Sequence, residues 1–382
     1  MNKNKIALTG AQAVAEAMRQ INPDVVPAYP ITPQTQIVET FAHFVADGKV
    51  ETEMIRVESE HSAMSAAVGA SAAGARVMTA SSSQGVLLML EILPIASGLR
   101  LPIVMNVVNR AISAPINIHC DHSDSMACRD LGWVQIYSED NQEVYDNTIL
   151  AMKLAEKIEL PVMVMQDGFI TSHCVEEVEI LEDEKVKRFV GDYNPETSLL
   201  KNKVTYGALQ LPDYYFETKM QEADAIAKAK IEFLKTAKEL SKLTGREYNY
   251  FESYKLKDAN YVIITMNSSA GTVKSVVDKL RKKGKKVGLL KPVLFRPFPY
   301  SEIKSVLKGK KIAVLDRSES FGANPPLFSE IKNSLFDINA RVQSYVFGLG
   351  GREIFEKDIE KVFDNLMKNK FDETRKYIGL RE

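Results

Sequence analysis

The chain has 382 residues, enough for two or three domains that each bury a core of their own. Its 49 Lys and Arg balance 50 Asp and Glu, which excludes a single-signed field that would draw in nucleic acid or a membrane surface. No apolar run approaches the roughly 20 residues of a membrane span, and MNKNKIALTG enters a strand or turn rather than a secretory leader, so a cytoplasmic protein with small-molecule or protein partners is expected.

From Ile6 to about Thr171, short apolar runs alternate with helical patterns, as in a mostly parallel sheet covered on both faces. Val25, Val26, Pro27 and Ala28 read as a buried strand, followed by YPITPQT (29–35). Its two prolines fix the backbone on either side of Thr32. A hydroxyl is thereby held at the carboxyl end of a strand, where open α/β sheets bind ligands. Thr35 can cap a helix beginning near Gln36, and a plain strand-to-helix connection accounts for the same residues without a site.

Downstream, RVESEHSA (56–63) leads into a small-residue helix over 62–74. Glu60 stands at its start among Ala63, Ala66, Ala67 and Gly69, a cramped and partly dry setting for a carboxylate. The helix macrodipole alone explains an acid here equally well. Further strands are expected over 75–80, 102–108 and 160–165. After the first of these, SSSQG (81–85) breaks the chain and starts a helix, offering amides to an anion or ring system, or serving only as a cap. Arg110 ends the second, where a planar fork suits a carboxylate; a structural ion pair is the competing account.

Cys120, Cys128 and Cys174 lack C-x-x-C spacing and an even count, which argues against a disulfide framework, a zinc site or a self-contained iron-sulfur cluster. His119, Cys120, Asp121 and His122 form a potential ligand cluster, but adjacent residues point in different directions, so no metal is assigned there. None of His61, His119, His122 and His173 has a partner visible in the sequence.

Over 177–258 the chain turns acidic and lysine-rich, then amphipathic from 219 to 243, a helix of roughly seven turns. Its apolar positions, Ile226, Ala229, Phe233, Ala237 and Leu240, suit a connecting helix packed on its own domain. A second α/β unit begins with the strand 260–265 and adds strands at 286–290 and 311–315, each after a basic helix. The expected division is 1–250 and 251–382. GLGG (348–351) approaches a dinucleotide fingerprint, but Glu353 falls where the third glycine belongs, which counts against an NAD-binding α/β dehydrogenase, the alternative from a different class.

Several ordered motifs, YPITPQT, VESEHSAM (57–64), TASSSQG (79–85), NRAISAPIN (109–117), DGFITSH (167–173), LFRPFP (294–299) and LDRSESFG (315–322), together resemble the α subunit of 2-oxoacid:ferredoxin oxidoreductases over nearly the whole chain. The resemblance implies a pyrimidine-type, thiamine-diphosphate-binding three-layer α/β/α domain followed by a smaller α/β domain similar to the transketolase C-terminal domain. It also implies thiamine diphosphate shared with a β subunit, coenzyme A as co-substrate, and ferredoxin as electron acceptor. Mg2+ and [4Fe-4S] clusters would sit on partner chains, the β subunit with γ and δ subunits or their equivalents. The diphosphate-side Gly-Asp-Gly motif is missing here, as that division of labour requires. By the same resemblance Glu60 matches the glutamate bonded to N1′ of the aminopyrimidine, and Thr32 and Arg110 match contacts to the substrate carboxylate. Pro30, Ser82 and Gln84 would line the cofactor pocket. NRAISAPIN points to pyruvate, with 2-oxoisovalerate or another 2-oxoacid as the alternative; the segment 119–122 departs from the family pattern, and no role is assigned to His119, Cys120 or His122.

Overall fold

The computed structural model describes residues 4–381. Its strands are β1 (Asn4–Thr9), β2 (Val25–Ala28), β3 (Glu53–Arg56), β4 (Val77–Ser81), β5 (Ile103–Asn109), β6 (Val134–Tyr137), β7 (Val162–Asp167) and β8 (Val175–Ile180). After a long helix come β9 (Phe251–Tyr254), β10 (Tyr261–Ile264), β11 (Val287–Pro292), β12 (Leu294–Arg296), β13 (Lys311–Asp316), β14 (Val342–Val346) and β15 (Lys376–Tyr377). Seven strands form one sheet in the order β12-β6-β7-β5-β4-β2-β3, six form a second in the order β15-β14-β13-β10-β11-β9, and β1 pairs with β8 alone.

Within the first sheet every ladder is parallel except β12 on β6. The central strands β4, β5, β6 and β7 are buried at every position, which is why they read as continuous apolar runs instead of alternating ones. One core cluster joins the helices Gly10–Ile21, Asn141–Ile158 and Pro212–Thr244 to one face of this sheet. A second joins the helix Glu60–Ala73 to Val262, Ile264 and Val314 of the other sheet, and a third covers that sheet's far side. The result is the layered α/β arrangement expected, a larger unit followed by a smaller one.

Three features depart from the sequence reading. The long helix runs for 33 residues, Pro212–Thr244, because Pro212 supplies a good first-turn residue that amphipathicity alone did not reveal. It buries Ala229, Phe233, Ala237 and Leu240 in the first core cluster, the intramolecular packing expected. Thr35 is the first residue of the helix Thr35–Ala46, not its cap, and Gln34 holds the cap position without a side-chain cap bond. Finally, Leu294–Arg296 leaves the second unit to add an antiparallel edge to β6, where Phe295 meets Tyr137 edge-on at 5.8 Å. Among the described residues no helix is long and apolar enough to cross a membrane.

Candidate active site

Four neighbouring parallel strands, β7, β5, β4 and β2, deliver their carboxyl ends to one edge. Arg110 follows β5 and is 7% exposed. Its Nη1 donates to the Thr32 carbonyl oxygen at 2.8 Å and its Nε to the Asn117 carbonyl oxygen at 2.9 Å. Burial draws its pKa down and the nearby Asp124 draws it up, with burial the stronger. Nη2 has no protein partner among the described residues, and neither does the hydroxyl of the exposed Thr32.

The Thr32 loop is fixed from below. Gln34, fully buried, accepts from the Ile31 N–H at 3.2 Å and donates to the Ala80 carbonyl at 2.9 Å, tying the loop to the end of β4. A side chain at Gly168 would lie 2.4 Å from the Asn109 carbonyl oxygen and 2.9 Å from Pro33, so only glycine lets the end of β7 close against both. Pro30 is exposed on the same loop.

Glu60 opens the helix Glu60–Ala73, whose N-cap Ser59 accepts from the Ser62 N–H. It is 6% exposed, yet no donor among the described residues bonds its carboxylate. A Cβ at Gly85 would stand 2.5 Å from Glu60 Oε1 and 2.6 Å from Ser81 Oγ, and that Ser81 hydroxyl is buried without a partner. An acid and a hydroxyl thus pack directly against the bare Gly85 backbone, where any Cβ would displace them. Ser82 sits one position on, with its hydroxyl donating to the Val108 carbonyl at 2.6 Å, and Gln84 is half-buried on the turn. Ser83, at φ +47°, takes the left-handed conformation that redirects β4 into this turn.

Sequence reasoning missed the group that unites these loops. Asp124, wholly buried, bonds the Ser83 and Arg110 backbone N–H groups and the Asn109 side chain; burial raises its pKa to about 6, against the pull of these donors. It also missed Asp167, the centre of a buried cluster that spans both sheets. Asp167 Oδ1 accepts from His122 at 2.8 Å, Asn267 at 3.0 Å and Cys120 at 3.2 Å. Oδ2 accepts from Arg317 at 2.6 Å and from the Ser268 hydroxyl. Burial pushes this carboxyl up, but the charges of Arg317 and His122 prevail and hold it well below the usual range. Cys120, His122 and Asp167 stand close enough to share an ion. The Arg317 guanidinium, however, already neutralises Asp167, and that is a buried ion cluster's donor set. Cys120 and His122, two apart in the chain, both reach Asp167 Oδ1 at the end of β7. The only signal in the sequence was polar residues at the ends of otherwise apolar strands.

GLGG is a short 3-10 turn, with the Asn117 side chain donating to the Gly350 carbonyl at 3.1 Å and the Gly351 N–H to the Cys120 carbonyl at 2.7 Å. It locks the Arg110 loop to the second sheet. His61, next to Glu60 in the helix, pairs with Glu91 at the surface at 3.2 Å.

The fold is of the thiamine-diphosphate-binding type. Over 95% of its length the chain matches 66% of a 2-oxoglutarate:ferredoxin oxidoreductase chain from Magnetococcus marinus, solved with 2-oxoglutarate, coenzyme A and succinyl-CoA bound, at a TM-score of 0.72 and 19% identity. A split-gene transketolase matches at a TM-score of 0.55 and 12% identity, covering 94% of this chain and 97% of its own. At such identities the likeness is one of fold. Residues 16–238 match the family described as pyruvate flavodoxin/ferredoxin oxidoreductase, thiamine diphosphate-binding, and residues 259–359 match pyruvate:ferredoxin oxidoreductase core domain II. The chain belongs to the pyruvate flavodoxin/ferredoxin oxidoreductase family, as an α-type subunit of an oxidoreductase. Pyruvate synthase subunit PorA of Thermotoga maritima is 56% identical, covering 99% of this chain and 98% of the relative. The same-named subunit of Methanocaldococcus jannaschii is 48% identical with 98% of each covered, and ketoisovalerate oxidoreductase subunit VorA of Pyrococcus horikoshii 43% identical with 96% and 95% covered. The family expected from the ordered motifs is the one found.

Proposed function

We propose that this subunit works in a complex converting pyruvate, coenzyme A and oxidised ferredoxin into acetyl-CoA, CO2 and reduced ferredoxin. The observation that carries the reading is the buried, unbonded Glu60 carboxylate packed against Gly85 beside the orphaned Ser81 hydroxyl. These residues fit the aminopyrimidine of thiamine diphosphate, a flat ring with polar edges that needs a carboxylate partner, and glycine at position 85 lets that carboxylate keep its place. When bound, that cofactor supplies the nucleophilic carbon and the electron sink for decarboxylation.

Glu60 holds and releases the proton at the ring edge, in a pocket dry enough to strengthen the interaction. Arg110 Nη2 and the Thr32 hydroxyl, both without protein partners, bind and orient the 2-oxoacid carboxylate. Pro30 shapes the mouth of the pocket, and Ser82 and Gln84 form the wall opposite Glu60. The diphosphate, its Mg2+ and the [4Fe-4S] clusters belong to partner chains, a β subunit with γ and δ chains or equivalents, acting in the cytoplasm. With a domain division at about residue 250, the cofactor residues fall to the first unit and the second serves as a buttress.

Pyruvate is preferred because the relative at 56% identity carries a pyruvate name and the ketoisovalerate relative stands at 43%. The test is ferredoxin reduction by the purified complex with pyruvate, 2-oxoisovalerate and 2-oxoglutarate in turn. A larger kcat/KM for either of the latter two would replace pyruvate, and thiamine-independent turnover would remove the whole reading.

A further inference from the structure

Asp124 stands apart from the groups assigned above because it touches both halves of the cleft while facing neither. Its carboxylate is fully buried, and each oxygen takes two N–H donors. Oδ1 accepts from the Asn109 side chain and the Ser125 backbone, both at 2.8 Å. Oδ2 accepts from the Ser83 backbone at 2.9 Å and the Arg110 backbone at 3.0 Å. Four donors around two oxygens can be matched only by an ionised carboxylate, since a carboxamide or a protonated acid would turn a donor toward donors.

The two backbone groups on Oδ2 come from different strands. Ser83 follows β4 in the left-handed conformation that launches the turn bearing Gln84 and Gly85, and its hydroxyl donates across to the Ala111 carbonyl at 2.6 Å. Arg110 follows β5 and reaches Thr32. One oxygen therefore fixes the spacing between the Gly85 turn, against which Glu60 packs, and the guanidinium at the other end.

We infer that Asp124 is a positioning residue that couples the cofactor pocket to the 2-oxoacid grip, so that neither can be set independently of the other. This rests on the roles proposed for Glu60 and Arg110. Loss of the carboxylate should disturb both binding functions together, whereas each residue at the ends of the cleft should disturb one.

The test uses the assembled complex carrying Asp124→Asn, with Arg110→Ala and Gly85→Ala as references. The measured quantities are the pyruvate KM and the thiamine diphosphate concentration for half-maximal turnover. Asp124→Asn should raise both by about tenfold, Arg110→Ala chiefly the first and Gly85→Ala chiefly the second. A lowered kcat with both half-saturating concentrations unchanged is what a merely structural acid would give, and it overturns the inference. Should Asp124→Asn fail to assemble, Asn109→Ala decides, because it removes one donor to Oδ1 and leaves both backbone donors on Oδ2. A joint rise of about twofold or more supports the coupling, and unchanged values overturn it. If Arg110→Ala and Glu60→Gln both leave kinetics unaltered, the site assignment itself fails, an outcome distinct from failure of Asp124 alone.

Discussion

The Arg110 guanidinium donates to the Thr32 carbonyl oxygen at 2.8 Å, so the strand-end arginine and the loop between two prolines form one rigid unit. A second donation, from Nε to Asn117 at 2.9 Å, fixes the plane of the fork and leaves Nη2 directed by geometry rather than by chance. The positive charge is kept in a buried place by backbone oxygens, not by an ion pair, which leaves its charge for a ligand.

Arg110→Lys tests that geometry. An ammonium can satisfy one of the two carbonyls but cannot also present a flat, oriented N–H pair. Pyruvate KM should rise roughly 10- to 100-fold, the value of one or two charge-assisted hydrogen bonds, with assembly of the complex intact. An unchanged KM would show that the fork is structural.

Glu60→Gln removes the proton-accepting group while keeping shape and burial. Pyruvate-dependent ferredoxin reduction should fall by about two to four orders of magnitude. The thermal unfolding midpoint should hardly move, because no protein donor is bonded to this carboxylate among the described residues. Near-normal turnover would return Glu60 to the simple role of a helix-start acid.

Gly85→Ala should displace the Glu60 carboxylate and so weaken cofactor binding. The added methyl would sit 2.5 Å from Glu60 Oε1 and 2.6 Å from Ser81 Oγ, closer than real Cβ atoms come to such neighbours. The nearest clashing atom ends the flexible Glu60 side chain, which can swing aside, so the fold should be retained. Calorimetric titration of the complex should show thiamine diphosphate affinity reduced at least tenfold, and wild-type affinity would mean that the ring lies elsewhere.

The sheet, the small-residue helix and the loop at Thr32 were legible because apolar runs, prolines and alanines act locally. Arg110 and Glu60 were legible as candidates but not as a pair, since nothing local states that β4 and β5 are neighbours. Asp124 and Asp167 were hidden for the same reason: their donors come from residues as far away as Ser83 and Arg317. GLGG illustrates the converse. Its spacing resembled a ligand loop, whereas a Cβ at Gly351 would meet His119 at 2.4 Å, so the glycines serve close packing between the two units. Likewise the short strand Leu294–Arg296 gives no periodic signal of its own and takes its place only because β6 offers an open edge.

Arg317→Met isolates the buried charge cluster. In the wild type, Asp167 has a folded pKa held well below its ordinary 3.8, so its stabilising contribution is complete at neutral pH and is lost only as pH falls below that ordinary value. With the guanidinium gone, burial, already the largest single influence on Asp167, meets less opposition and the pKa moves upward. The variant should then be less stable than wild type by about 3–5 kcal/mol near pH 7, the usual cost of leaving one member of a buried pair. That deficit should shrink as pH falls toward the ordinary carboxylate range, where Asp167 takes a proton and His122 and Ser268 lose less by its neutrality than an unpaired buried anion would cost. Denaturant unfolding measured at neutral and mildly acidic pH checks the sign. A deficit that stays constant on acidification would mean that Asp167 stays ionised through its hydrogen bonds alone, and that Arg317 contributes packing instead of charge.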